Sequence, residues 1–202
     1  MQNLPFLVGI SGASGVIFGI RLLEILRTLK VPTHLIMSRS AEIALASETD
    51  RKLADIHALA DVVYAVADIA AAPASGSFPT RGMVIAPCSI RTMSEIATGV
   101  TGSLLTRAAD VTLKERRRLV LMVRETPLHT GHLRTMTTLS EIGAIIAPPV
   151  PAFYSAPATI ADLVDHTLGR VLDLFDLDSG RVKRWTGAAR AQRRRVQLTS
   201  PI

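Results

Sequence analysis

The sequence contains little cysteine and few aromatic residues. Its single cysteine, Cys88, excludes an internal disulfide and favours a reducing compartment. Aromatic residues make up only 4% of the chain, so the core is expected to be aliphatic. The first residues carry no basic segment followed by a long apolar run, which argues against a signal peptide. We therefore expect a cytoplasmic protein.

Long apolar runs and metal-ligand motifs are also missing. No apolar run approaches the roughly 20 residues that a membrane span needs, and we expect no membrane partner. The five histidines lack the spacing of metal ligands, and no acidic cluster stands beside them. We therefore predict no metal site.

Positive charge is concentrated at one end of the chain. Of the 23 Lys and Arg residues, seven lie in residues 181–202, which contain no acid. The remaining chain has 16 basic and 17 acidic residues and is nearly neutral. Because the basic charge belongs to a predicted tail, we do not expect a nucleic-acid partner. A nucleic-acid binder that uses this tail stays open as an alternative.

Short β-like runs alternate with longer segments of helical period. We predict strands at Phe6–Ile10, His34–Met37, Met83–Ala86, Leu119–Val123 and Ala144–Ala147. We predict helices at Val16–Leu29, Ser103–Arg116, Gly131–Ile142 and Ile160–Leu177. Such alternation is typical of a three-layer, doubly wound parallel α/β sheet of Rossmann-like or flavodoxin-like type. We expect one α/β domain over residues 1–180 and a basic tail over 181–202.

A glycine-rich loop follows the first predicted strand. Gly9, Gly12 and Gly15 are spaced three apart, and the second strand ends without an acidic residue, so a dinucleotide is disfavoured. Small residues at a helix N-terminus suit a monophosphate or the edge of a flat ring. A merely tight strand-to-helix turn is the open alternative.

Hydroxyl groups follow the third predicted strand. Ser89 is predicted to be a helix N-cap, with Thr92 one turn later on the same side. Both hydroxyls could bind phosphate oxygens, and simple capping by Ser89 is the open alternative. Cys88 lacks a histidine partner and is predicted to pack as a small apolar group.

Charged residues define a possible second anion site. Arg124 and Glu125 follow a strongly apolar strand, where a charged pair is usually part of a site. Arg107 and Lys114 are two helical turns apart, and Tyr154 and Arg170 come later in the chain. Whether these cations converge on one pocket stays open from the sequence.

Ten segments in this order resemble the UbiX/Pad-type flavin prenyltransferases. The segments are GISGASG (9–15), SRSA (38–41), ETD (48–50), PASGS (73–77), APCS (86–89), RAADVTLKERR (107–117), RETP (124–127), PAFY (151–154), LVDH (163–166) and KRW (183–185). The resemblance covers residues 5 to about 187. Arg91 within SIRT (89–92) is more similar to the branch associated with phenolic acid decarboxylases.

The resemblance implies a reaction and its partners. Reduced FMN is the co-substrate, and dimethylallyl phosphate alkylates it at N5 and C6 without a metal. The product, prenylated FMN, serves a separate UbiD-type decarboxylase. The resemblance also implies a large homo-oligomer, such as a dodecamer, with sites at subunit boundaries.

The resemblance also assigns residues to roles. The FMN-binding positions are Gly12, Ala13, Ser14, Ser38, Ser89, Ile90, Arg91, Thr92 and Arg124. The positions around the prenyl phosphate are Arg107, Lys114, Arg124, Tyr154, Arg170 and Trp185. The positions with catalytic roles are Ser14, Glu48, Lys114 and Glu125. The alternatives are a flavin-dependent cysteine-type decarboxylase and a non-catalytic FMN-binding subunit of an aromatic acid decarboxylase.

Overall fold

The computed structural model describes residues 4–185, which form alternating strands and helices. The strands are β1 (Phe6–Ile10), β2 (Thr33–Met37), β3 (Val62–Tyr64), β4 (Gly82–Cys88), β5 (Leu119–Val123) and β6 (Ala144–Ile146). The helices are α1 (Val16–Thr28), α2 (Arg39–Glu48), α3 (Leu53–His57), α4 (Ile90–Ala97), α5 (Leu104–Lys114), α6 (Thr130–Glu141) and α7 (Ile160–Asp173). Single 3-10 turns lie at Ala72–Ala74 and Phe153–Ser155.

The strands form one parallel sheet in the order β3-β2-β1-β4-β5-β6. The chain winds outward from β1 to β3 and then crosses back to continue from β4 to β6. The strand order therefore reverses between β1 and β4, and this position is the switch point of the sheet. Ligands of such sheets bind at the switch point. The predicted doubly wound parallel sheet is confirmed.

Buried side chains on the two faces of the sheet form two cores. One core joins alternate strand residues such as Val8 and Val84 to α1, α2, α3 and α7. The other joins the intervening residues, such as Leu7 and Ile85, to α4, α5 and α6. Because strand side chains alternate between faces, this division produces the three predicted layers.

Several elements differ from the sequence-based expectations. The short edge strand β3 and the helices α2 and α3 were not predicted. In α2 only Ala41 and Leu45 are buried, so the sequence of this helix carries little apolar periodicity. The strand predicted at Met83–Ala86 continues past Pro87 to Cys88 through a register shift, and strands accommodate proline at such irregularities.

The first residues of the predicted tail contact α7. Arg181 donates to Asp165 at 2.6 Å, and Arg184 makes a bidentate ion pair with Asp173. Residues 186–202 lie outside the described residues, so the boundary at residue 180 stays a prediction. Within residues 4–185, no helix combines the length and apolarity that crossing a membrane requires.

Candidate active site

A cleft of about 640 Å³ opens at the carboxyl edge of the sheet, around the ends of β1 and β4. Its wall is formed by the loops that follow the strands and by the first turns of α2 and α4. The lining residues are Gly12, Ala13, Ser14, Ser38, Arg39, Ser40, Val66, Ser89, Ile90, Arg91, Thr92, Glu95, Val100, Gly102, Ser103, Leu105, Arg124 and Glu125. All nine positions to which the resemblance assigns FMN therefore face one cleft.

Ser11 joins the two loops at the switch point. Its hydroxyl is fully buried, donates to the carbonyl of Pro87 at 2.9 Å and accepts from the amide of Ser89 at 2.7 Å. The amide of Ser11 also donates to Pro87 at 3.2 Å. These bonds fix the glycine loop after β1 against the loop after β4.

Ser89 and Thr92 form the predicted cap of α4. The Ser89 hydroxyl accepts from the Thr92 amide at 3.2 Å and donates to the Thr92 hydroxyl at 3.1 Å. The predicted N-cap is confirmed, and both hydroxyls stand at a helix end that carries positive dipole. The geometry suits an anion in the cleft.

The α2 N-terminus reaches the same cleft. Ser38 caps α2 by accepting from the Ala41 amide at 3.2 Å. Across from it, a Cβ atom at Gly12 would stand 2.2 Å from the Cβ of Ser40, so only glycine allows this close approach. The glycine loop and the start of α2 therefore pack directly against each other.

The α1 N-terminus differs from our expectation. We predicted that the glycine loop would hold a phosphate or ring edge there. Instead, the Glu48 carboxylate at the end of α2 accepts from the amides of Gly15 and Val16, at 2.8 and 3.0 Å. Gly15, with φ of 93°, adopts the left-handed conformation that turns these amides toward it. The anion on this helix is therefore a side chain of the protein.

Arg124 and Glu125 follow β5 and line the cleft, but both are exposed in the single chain. The cost of burying a charged pair, on which their predicted role was based, therefore does not arise here. Glu125 accepts from the amide of Thr126 at 3.0 Å. Within residues 4–185 the Arg124 guanidinium makes no ion pair or hydrogen bond.

Arg107 and Lys114 lie on α5 outside the cleft lining. Arg107 donates to the carbonyl of Ala74 at 3.1 Å and pairs with Asp110 at 2.7 Å. Lys114 pairs with Glu115 beside Gly76. Both cations therefore adjoin the segment of residues 73–77.

Tyr154, Arg170 and Trp185 form another group, on and around α7. The ring centroids of Tyr154 and Trp185 are 5.6 Å apart, and the Tyr154 hydroxyl lies 3.4 Å from Nε2 of the buried His166. Arg170 lines a pocket with Tyr154 and pairs with Asp173 at 2.6 Å. One chain thus holds the cations expected around the prenyl phosphate in separate places, and their shared role stays a prediction.

Sequence reasoning missed several residues that line the cleft or hold its loops in place. Ser11 was read only as part of the glycine loop, although its burial makes it the link between two loops. Residues to which no role was assigned also line the cleft, at the start of α2, after β3, on α4 and around the start of α5. These residues are Arg39, Ser40, Val66, Glu95, Val100, Gly102, Ser103 and Leu105.

Cys88 is fully buried, and burial raises the pKa of its thiol to about 12. Cys88 packs among the buried apolar residues on one face of the sheet, which confirms its predicted apolar packing. Its protonated thiol is a poor nucleophile. Among residues 4–185, no three His, Cys, Asp or Glu side chains are grouped to hold a metal ion.

Comparisons with known proteins agree with this geometry. The Flavoprotein family model matches residues 1–172. The flavin prenyltransferase UbiX of Salmonella typhimurium is 60% identical over 185 residues, which is 90% of this chain and 98% of the relative.

Two solved structures share the fold. AnUbiX (PadA1), crystallised with FMN and dimethylallyl pyrophosphate, superposes with a TM-score of 0.90 at 49% identity, over 92% of this chain and 98% of that one. A dodecameric FMN-dependent UbiX-like decarboxylase from Escherichia coli O157:H7 superposes with a TM-score of 0.89 at 46% identity, over 91% and 100%. The chain belongs to the Flavoprotein family and, within it, to the UbiX-type flavin prenyltransferases.

Proposed function

We propose that this protein transfers the dimethylallyl group of dimethylallyl phosphate to reduced FMN. The observation that carries the proposal is the gathering of all nine predicted flavin-binding positions around one cleft at the sheet's switch point. The product, prenylated FMN, then passes to a separate UbiD-type decarboxylase. The reaction takes place in the cytoplasm, the compartment that the single cysteine favours.

The residues of the cleft fit FMN. Its volume of about 640 Å³ falls in the range of small-molecule sites, roughly 300–1,000 Å³. Val66, Ile90, Val100 and Leu105 offer apolar surface for a flat ring. Hydroxyls and helix N-termini offer donors for a phosphate.

Ser38, Ser89 and Thr92 are the proposed phosphate ligands of FMN. Ser89 and Thr92 bond to each other at the start of α4, so both hydroxyls are held in place before a ligand arrives. Arg124, whose guanidinium has no recorded partner within residues 4–185, adds the opposing positive charge. A guanidinium binds phosphate oxygens in pairs, which orients the bound group as well as attracting it.

Neighbouring copies of the chain complete the site. Arg107 and Lys114 on α5, and Tyr154 and Arg170 near α7, do not line the cleft within one chain. Tyr154 and Trp185 are 47% and 64% exposed, and Phe153 and Ile160, close to Tyr154 in the sequence, are exposed as well. Exposed apolar surface of this kind marks an interaction surface. We propose a homo-oligomer, a dodecamer like the related UbiX-like structure, in which these residues reach the cleft of another copy.

The cations assist departure of the phosphate. Cleavage of the allylic C–O bond leaves positive charge on the dimethylallyl group and negative charge on the phosphate. Lys114, Arg124 and Arg170 stabilise that negative charge, the task that a metal ion performs in many prenyl transfers. Tyr154 donates a hydrogen bond, and Trp185 offers a π face to the allylic cation.

Reduced FMN, when bound, supplies the electron-rich N5 and C6 positions that accept the dimethylallyl carbons. The protein's own contribution is to exclude water and to handle a proton. Glu125, at the rim of the cleft, is the proposed acid–base group, and Ser14 relays the proton. A positioned acid–base group typically contributes about 10²- to 10⁴-fold.

Release of inorganic phosphate tests the proposal. Incubation with dimethylallyl phosphate, EDTA and chemically reduced FMN without oxygen is expected to release one phosphate per FMN. The Arg124→Gln variant is expected to release phosphate at least about 100-fold more slowly. Release that continues unchanged without FMN would contradict the proposal, because the flavin would then not be the acceptor.

A further inference from the structure

A second pocket, here called the amino-edge pocket, lies at the opposite edge of the sheet from the cleft. Its volume is about 560 Å³. It is formed where the chain enters β1, β4 and β5, so it shares no lining residue with the cleft. The lining residues are Leu4, Thr80, Arg81, Arg116, Arg117, Arg118, Phe175 and Asp176.

Arginine side chains dominate this pocket. Four arginines face one acid, Asp176, which leaves an excess of three positive charges. Gly82 brings the arginine segments together: a Cβ atom there would stand 2.5 Å from the carbonyl of Arg118, so a larger residue would separate β4 from β5. The concentration of charge is therefore built by the fold.

Two of these arginines are already engaged, to different degrees. Arg117 donates to the carbonyls of Gly76 and Phe78, both at 2.8 Å, and so serves a structural role. Arg118 pairs with Asp176 at 2.8 Å, but both side chains are more than half exposed. Exposed pairs of this kind contribute little, so Arg118 can turn to an incoming anion.

Buried donors without a partner lie in the same pocket. Thr80 is only 6% exposed, and its hydroxyl has no hydrogen-bond partner within residues 4–185. The Nε atom of Arg81 is likewise buried and unpartnered. Because buried polar groups nearly always have partners, two unpartnered donors beside an arginine cluster indicate a missing acceptor.

We propose that the amino-edge pocket binds a small phosphate- or diphosphate-bearing molecule. The Thr80 hydroxyl and the Arg81 guanidinium donate to its oxygens, and Arg116 and Arg118 supply further positive charge. An excess of three charges suits a multiply charged phosphate better than a single carboxylate. Phe175 and Leu4 offer apolar contact to the remainder of the ligand.

Titration of the full-length protein with inorganic pyrophosphate, followed by calorimetry, tests this site. Thr80→Val keeps the side-chain shape but removes the donor, and we expect it to weaken pyrophosphate binding at one site about 10-fold or more. The same variant is expected to melt no lower than the wild type without ligand, because it removes an unpaired buried hydroxyl. Arg81→Gln is expected to weaken the same site.

Two variants serve as controls. Arg27→Gln removes one positive charge from a different pocket, and it is expected to leave pyrophosphate affinity unchanged. Arg124→Gln alters the cleft and is expected to leave the amino-edge site intact, so failure of this inference is separable from failure of the proposed function. Equal pyrophosphate binding by Thr80→Val, Arg81→Gln and wild type would overturn the inference, as would loss of all binding in Arg124→Gln.

Discussion

The buried hydroxyl of Ser11 accepts a hydrogen bond of 2.7 Å from the backbone amide of Ser89 and thereby joins the two loops between which the cleft opens. The bond crosses the switch point of the sheet, from the end of β1 to the end of β4. It also holds Ser89 where its own hydroxyl caps α4. The positions of both proposed flavin-binding loops therefore depend on one side chain that lines no part of the cleft.

Ser11→Ala is expected to lower both stability and flavin affinity. The change leaves the Ser89 amide without its acceptor, whereas the Pro87 carbonyl loses one donor and keeps the backbone amide of residue 11. An unsatisfied donor in this place costs about 1–3 kcal/mol. Chemical denaturation and FMN titration measure the two effects. Ser47→Ala, which removes an exposed hydroxyl from α2, is the matched control and is expected to change neither. Wild-type FMN affinity in Ser11→Ala would show that the hydrogen bonds of Ser11 are not needed to position the flavin-binding loops.

Glu48→Gln separates structure from catalysis at the start of α1. A single carboxylate oxygen of Glu48 accepts hydrogen bonds from the amides of Gly15 and Val16. The side-chain oxygen of a glutamine can keep both bonds, while the negative charge is lost. Loss of a charge at a helix N-terminus costs about 0.3–1 kcal/mol, and we expect a small change in stability of this size. If Glu48 also takes part in the reaction, turnover falls by about 10-fold or more.

The comparison with Glu48→Ala completes that test. Alanine removes the acceptor as well as the charge, so its stability is expected to fall below that of Glu48→Gln. Equal turnover of wild type and Glu48→Gln, measured as prenylated flavin formed per minute, would restrict Glu48 to a structural role.

Arg170→Ala is expected to raise the KM for dimethylallyl phosphate about 10-fold or more and to leave FMN affinity unchanged. Arg170 lies outside the cleft of its own chain and is proposed to bind the prenyl phosphate of a neighbouring copy. Arg27→Ala is the control, because Arg27 is an exposed arginine that lines neither the cleft nor the pocket of Arg170. Unchanged kinetics in Arg170→Ala would exclude Arg170 from the site.

Acid sensitivity is expected to involve Asp165. Its hydrogen bond to Arg21, together with the charges of Arg21 and Arg181, lowers the pKa of Asp165 below its ordinary value. A carboxylate with a lowered folded-state pKa stabilises the fold above its unfolded pKa, about 3.9, and loses that contribution as the pH falls through the folded value.

The difference in the free energy of unfolding between wild type and Asp165→Asn is therefore expected to be largest at pH 6 and to shrink as the pH falls from about 5 toward 2. Urea denaturation across this range measures it. Asp50→Asn, at an exposed residue with no recorded ion pair within residues 4–185, is the control. A difference that stays constant with pH would show that the Arg21 contact does not depend on the Asp165 charge.

The sequence predicted the layers because buried parallel strands carry apolar runs that stand out from amphipathic helices. β1 and β5 match their predicted bounds, since every residue in them is buried. β3 was missed because an edge strand of three partly exposed residues has no such pattern. α2 was missed because it buries only two residues.

Within the site, the sequence predicted those hydrogen bonds whose donor and acceptor lie in one short segment. The cap of α4 by Ser89 could be predicted because the acceptor and donor are three residues apart. The bonds of Glu48 to Gly15 and of Ser11 to Ser89 join residues 33 and 78 apart, and spacing along one chain carries no information on such contacts. The convergence of Arg107, Lys114, Tyr154 and Arg170 depends on the assembly and stays a prediction.

The mass of the flavin after reaction tests the central claim most directly. The full-length protein is incubated without oxygen with reduced FMN and dimethylallyl phosphate, and the flavin is then extracted and analysed by mass spectrometry. We expect a flavin heavier by one dimethylallyl unit, formed in amounts that fall sharply in Arg124→Gln. Recovery of FMN with unchanged mass from protein that binds both compounds would contradict it.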